Sequence, residues 1–151
     1  MKKETYTCQH VFIQLIKEKD VEYDKIIFPA CAAEIARKII TQNDREHFIV
    51  LCLDGSNHVV CVNTVHVGTV SSVNTNLREV LKPAILSNSS SIIVVHNHPS
   101  GDPAPSDNDH SITEKIQEAC KLFGIRLLDH VILGDDDKFY SFKEEGFVQD
   151  K

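Results

Sequence analysis

The chain has 151 residues, enough for one domain with a real core, and 42% hydrophobic with 25% charged residues is the composition of an ordinary soluble globular protein. A formal net charge of −6 argues against a broad basic surface of the kind that binds nucleic acid non-specifically. Cysteines at positions 8, 31, 52, 61 and 120 form no Cys-x-x-Cys pair, which removes a zinc ribbon or a redox dithiol, and their odd count suits a reducing compartment.

No stretch approaches transmembrane length, and the apolar run at 11–16 is too short, and too interrupted by Gln14, for a signal-peptide core. The expectation is a cytoplasmic protein without membrane contact. Between residues 9 and 19, Val11, Phe12, Leu15 and Ile16 fall at helical spacing and predict a short amphipathic helix. A second helix is predicted over 29–40, with Pro29 in its first turn and Ala32, Ala33, Ile35, Ala36, Ile39 and Ile40 on its apolar side. Residues 44–47 lead into a buried strand at 48–53, and Asp54-Gly55-Ser56-Asn57 is a turn. Val59-Val60-Cys61-Val62 returns as the partner of a hairpin that residues 64–70 continue or bend, with Gly68 marking a bulge or kink.

Asn74-Thr75-Asn76 starts a helix over 77–87. Ile92-Ile93-Val94-Val95 is apolar on both parities, as a central strand buried on two faces must be. A helix follows from about 107 to 123 and is stopped by Gly124, and two strands at 125–133 and 139–142 are joined by an acidic turn. There is no internal repeat. Helices alternating with strands, and one antiparallel hairpin, predict an α/β fold with a mixed sheet flanked by helices. In such folds ligands gather at the carboxyl end of a central strand.

That end carries His96 and His98. Strand side chains repeat every two residues, so the two imidazoles leave one face with α-carbons roughly 6.5–7 Å apart, while Asn97 points the other way. Pro99, Gly101, Pro103 and Pro105 stiffen the loop that follows and let it turn sharply, so that Asp109 can return as a third, oxygen, ligand. Two histidines and a carboxylate leave a fourth tetrahedral position for water, the composition of a catalytic zinc site rather than a closed structural one. A blander reading exists, since Ser106-x-x-Asp109 is also a helix capping box. Capping accounts for those two residues and not for the paired histidines. Two carboxylates upstream are candidates for a general base: Glu46, just before the 48–53 strand, and Glu79, whose Asn76-x-x-Glu79 setting is itself a capping box.

His96-x-His98, seven residues, Ser106, two residues, Asp109 resembles the JAMM motif of the MPN/JAB metallopeptidase fold. The longer string from His96 through Gly101 to Ser106, with Leu128-Asp129-His130 later, resembles the RadC branch of that fold, densely over 44–148. The resemblance implies an MPN/JAB fold, related to the three-layer arrangement of cytidine deaminases, with a metallohydrolase domain at 44–151 behind a helical leader at 1–43 packed upon it. Longer RadC-like proteins carry a helix-hairpin-helix module ahead of this domain, and the leader here lacks its Gly-rich turn.

The resemblance also implies roles. One zinc ion per chain would be held by His96, His98 and Asp109, Glu46 rather than Glu79 would be the base, and Ser106 would support the tetrahedral intermediate. Asp129-His130 recurs in the RadC pattern, as a support of the site or as a buried pair joining two strands. The other histidines, 10, 47, 58, 66 and 110, read as surface or turn residues. The expected function is zinc-dependent hydrolysis of a peptide or isopeptide amide. The RadC association with DNA repair finds no support in the charge, and a nucleobase deaminase would need His-x-Glu with Cys-x-x-Cys, both missing here. A non-catalytic module for DNA or a replication partner, and a metal-dependent nuclease, are the rival readings.

Overall fold

The computed structural model describes residues 9–16, 18, 19, 23, 25–68 and 76–149. Pro29–Ile39 forms α1, His47–Leu53 β1, Val59–Val67 β2, Leu77–Leu86 α2, Ser91–Asn97 β3, Asp107–Leu122 α3, Arg126–Leu133 β4 and Phe139–Ser141 β5. The strands make one mixed sheet in the order β2-β1-β3-β4-β5, parallel only between β3 and β4, where α3 supplies the crossover.

β3 is apolar on both parities because it is covered on both faces. Ile92 and Val94, with Phe48, Val50 and Cys52 of β1, pack under Val80, Leu81 and Ala84 of α2 and Ile116 and Cys120 of α3. Ile93 and Val95, with Ile49, Leu51 and Leu53, pack under Ala32, Ala33, Ile35 and Ala36 of α1. Each fully buried Ile, Leu or Val contributes roughly 1.5–3 kcal/mol by leaving water, so the central strands anchor a three-layer α/β arrangement. This is the mixed-sheet architecture expected from the alternation of elements. Among the described residues no helix is long and apolar enough to cross a membrane.

The start of the chain departs from expectation. Residues 9–16, 18 and 19 are not helical, and Phe12 and Ile16 are 95% and 86% exposed. The amphipathic spacing is there but among the described residues no surface covers it, and isolated helices shorter than about 12–15 residues are marginal in water. The β1–β2 ladder breaks twice, between Phe48 and Ile49 and between Cys52 and Leu53, and both breaks lie before Gly68. Phe48 pairs with His66 and Ile49 with Thr64, which leaves Val65 as the extra residue of a bulge. Of the positions singled out in the sequence, Cys8, Thr69, Val70, Asn74 and Thr75 lie outside the described residues.

α1 also reaches the site end of the sheet. Its Arg37 guanidinium donates to the Gly134 carbonyl at 3.1 Å and the Lys138 carbonyl at 2.7 Å, tying the β4–β5 turn down. That turn is the floor of the loop after His98.

Candidate metal centre

The chain leaves β3 without losing its register. His98 N donates to the Leu133 carbonyl at 2.9 Å, so the second histidine is pinned to β4 as if the strand continued. The period of two therefore holds, and His96 and His98 converge with Nε2 atoms 3.1 Å apart. The loop then folds back over the β4–β5 turn. Gly101 N donates to the His98 carbonyl, and Asp135 N to the Gly101 carbonyl. Gly101 has φ +84°, and a Cβ there would fall on the Asp135 side chain; one on Gly134 would lie 2.6 Å from the Gly101 carbonyl oxygen. The two glycines are what allow the backbones to approach this closely.

The fold-back ends at α3, whose N-cap is Ser106 and whose third residue is Asp109. The capping box is present in both directions. Asp109 N donates to Ser106 Oγ at 3.2 Å, and Ser106 N and Oγ both donate to Asp109 Oδ2 at 2.7 Å. The cap does not compete with the site but aims it. Asp109 Oδ1 stands 3.2 Å from His96 Nε2, and Oδ2 stands 3.4 Å from His98 Nε2. One ligand atom from each of His96, His98 and Asp109 lies within 4.8 Å of the others.

The donor set suits a cation. His98 Nδ1 lies 2.8 Å from the Asp102 carbonyl, which can only accept, so Nδ1 carries the hydrogen and neutral His98 presents its Nε2 lone pair to the cluster. That lone pair and a carboxylate face one another in a pocket where Asp109 is only 7% exposed. Burial alone would raise the Asp109 carboxyl, but the imidazoles of His96 and His98 beside it outweigh that and hold the group well below the usual carboxylate range. Burial lowers His98, yet the neighbouring Asp109 carboxylate and the Asp102 carbonyl leave it raised. A buried anion that draws cationic character onto its neighbours is where a divalent ion replaces a proton. The residues fit one metal ion of the kind that takes nitrogen and oxygen ligands.

Glu46 is half-buried immediately before β1, and burial raises its carboxyl. His96, His98, Asp109 and His66 are the groups that act on it electrostatically, which places Glu46 in the neighbourhood of the cluster. Its backbone is held on both sides. Asn97 Oδ1 accepts from His47 N at 2.8 Å and Asn97 Nδ2 donates to the Arg45 carbonyl at 2.9 Å, while Gly68 N donates to the Glu46 carbonyl at 2.8 Å. The residue between the two histidines thus points away from the cluster, as its parity requires, and grips the segment that carries Glu46. Glu79 is elsewhere. It sits on the exposed side of α2 with both oxygens 2.8 Å from Lys82 Nζ.

Two further residues reach the cluster. His96 Nδ1 is 2.8 Å from His130 Nε2, and His130 Nδ1 is 2.6 Å from Thr113 Oγ1. Thr113 carries no sequence motif, but it stands four residues after Asp109 on the same face of α3, a spacing that could have found it. The Asp129-His130 pair divides its duties. Asp129 accepts from Ser141 Oγ and Lys143 N and so joins β4 to the residues around β5, whereas His130 turns to His96. Of the remaining histidines, His47 and His58 bond local partners at the surface, His110 packs edge-on to Phe142 and Phe147, and His66 lies near Glu46.

Comparison with known proteins gives one consistent picture. A family model described as a RadC-like JAB domain matches residues 26–147, a span that takes in α1 as well as the whole sheet. A UPF0758 protein of Shouchella clausii is 44% identical over 119 residues, covering 79% of this chain and 51% of the relative. One from Desulforudis audaxviator is 46% identical over 118 residues (78% and 51%), and one from Methanosarcina barkeri 44% over 108 residues (72% and 47%). The chain spans about half the length of the curated relatives it matches.

Proposed function

The chain belongs to the RadC-like JAB domain family, and on that premise we propose that it is a zinc-dependent hydrolase that cleaves a peptide or isopeptide amide with activated water. The observation that carries this reading is the convergence of His96, His98 and Asp109 ligand atoms within 4.8 Å, and the electrostatic influence of those three residues on Glu46 supports its part in it.

His96 Nε2, His98 Nε2 and an Asp109 oxygen would hold the ion. When bound, zinc supplies a Lewis acid that lets water ionise near neutral pH. Glu46 takes the proton from the attacking water and returns it to the departing amine nitrogen. Its raised pKa suits a group that must both accept and release a proton. The Ser106 hydroxyl, which in the resting site donates to Asp109 Oδ2, turns to donate to the oxyanion that develops on the amide carbonyl.

The test uses zinc-loaded protein on a panel of fluorogenic peptides and Nε-acyl-lysine isopeptides, comparing wild type with Glu46→Gln. The expected result is turnover by wild type that falls about 10²–10⁴-fold in the variant at unchanged zinc content. Equal turnover in both would refute Glu46 as base, and wild-type protein inert on the whole panel would refute amide hydrolysis.

A further inference from the structure

The hydrogen-bond chain behind His96 has a direction, and a backbone carbonyl sets it. Thr113 Oγ1 lies 2.6 Å from the Asp109 carbonyl, which can only accept, so the hydroxyl spends its one proton there. Its lone pairs are left to accept from His130 Nδ1 at 2.6 Å, so His130 carries its hydrogen on Nδ1. His130 is wholly buried, stacked at 4.8 Å on the Phe142 ring and flanked by Phe48, apolar surroundings that favour the uncharged ring. A neutral ring with a hydrogen on Nδ1 has a lone pair on Nε2, and that atom faces His96 Nδ1 at 2.8 Å. His96 must therefore donate from Nδ1.

The alternative has a real pull behind it. Asp109 Oδ1, 3.2 Å from His96 Nε2, attracts a hydrogen to that nitrogen, and a hydrogen on Nε2 would block the lone pair a metal needs. We propose that Thr113 and His130 are positioning residues for the metal centre: anchored on the Asp109 carbonyl, they keep a hydrogen on His96 Nδ1 and thereby reserve His96 Nε2 as a ligand. Asp109 is then tied to His96 twice, by its carboxylate at the site and by its carbonyl through Thr113 and His130. This inference rests on the metal-site reading for its purpose, while the placement of the hydrogen can be read without metal.

Two measurements on the full chain separate them. In metal-free protein labelled with ¹⁵N-histidine, His96 Nδ1 carries a hydrogen in wild type and in Thr113→Ser, which keeps the hydroxyl. In Thr113→Val the relay loses its anchor, His130 is released to donate from Nε2, and His96 Nδ1 loses its hydrogen. Zinc affinity, measured against a competing chelator, falls about 10- to 100-fold in Thr113→Val and returns in Thr113→Ser. His130→Gln, whose amide can accept from His96 and donate to Thr113, retains more affinity than His130→Phe. If Thr113→Val keeps both wild-type affinity and a protonated Nδ1, the relay is refuted and the metal site stands. If wild type binds no zinc, the metal site is refuted and the nitrogen spectra alone decide the relay.

Discussion

Ser106 and Asp109 bond each other in both directions, and the carboxylate that closes the cap on α3 is the same one that faces His96 and His98. Helix capping and the closing of the His96–His98–Asp109 cluster are therefore one device. Ser106→Ala is expected to lower stability by about 1 kcal/mol through the lost cap, and to slow turnover roughly 10²–10³-fold through loss of the proposed oxyanion donor, with zinc retained. Urea unfolding and zinc content on one preparation check both parts. Asp109→Asn keeps an acceptor for the cap but no charge for the metal, so its zinc affinity falls while α3 remains.

The two upstream glutamates separate by environment. Glu79→Gln removes an exposed pair with Lys82, worth about 0.2–1 kcal/mol at most, and should leave turnover unchanged. Glu46→Gln should abolish most turnover at full zinc occupancy. Steady-state rates of the two variants on the same substrate decide it, and a reversal of their order would move the base to α2.

Asn97 predicts a subtler defect. Asn97→Ala strips the partners from His47 N and the Arg45 carbonyl, costing about 1–3 kcal/mol, and frees the segment that carries Glu46. Turnover should drop while zinc affinity holds, because His96 and His98 keep their own bonds. A parallel loss of zinc would mean that Asn97 acts on the histidines instead.

A loop variant tests how His98 is held. Gly134→Ala places a Cβ 2.6 Å from the Gly101 carbonyl oxygen and from Pro103 Cδ, so the loop must lift from the β4–β5 turn. The Asp102 carbonyl that orients His98 moves with it. Weaker zinc binding with little change in Glu46-dependent chemistry per bound zinc is the expected signature, measured as affinity and as rate at saturating metal.

Much of this site is legible in the sequence. Four apolar residues on both parities announce a strand covered on two faces, and the histidines two apart at its end have to share a side. A loop with three prolines and a glycine has few ways to go other than back. What the pattern did not carry was whatever depends on register or on a partner surface. Asn97 grips Arg45 and His47 because Phe48 lies opposite His96, a pairing no periodicity encodes. His130 meets His96 because β3 and β4 run parallel with Val94 opposite His130, which brings residues 34 apart in sequence into hydrogen-bond contact. The stretch at 9–19 shows the opposite failure, since amphipathic spacing records a face and not whether anything lies against it.

The measurement that bears most directly on the central claim is zinc per chain by elemental analysis of wild type and His96→Ala purified side by side, each with a thermal melt before and after chelation. Wild type should carry about one zinc ion, lose it with a fall in melting temperature on chelation, and the variant should carry almost none while remaining folded. Equal zinc in the two proteins, or a wild type that takes up none when zinc is supplied, would contradict the metal centre assigned to His96, His98 and Asp109.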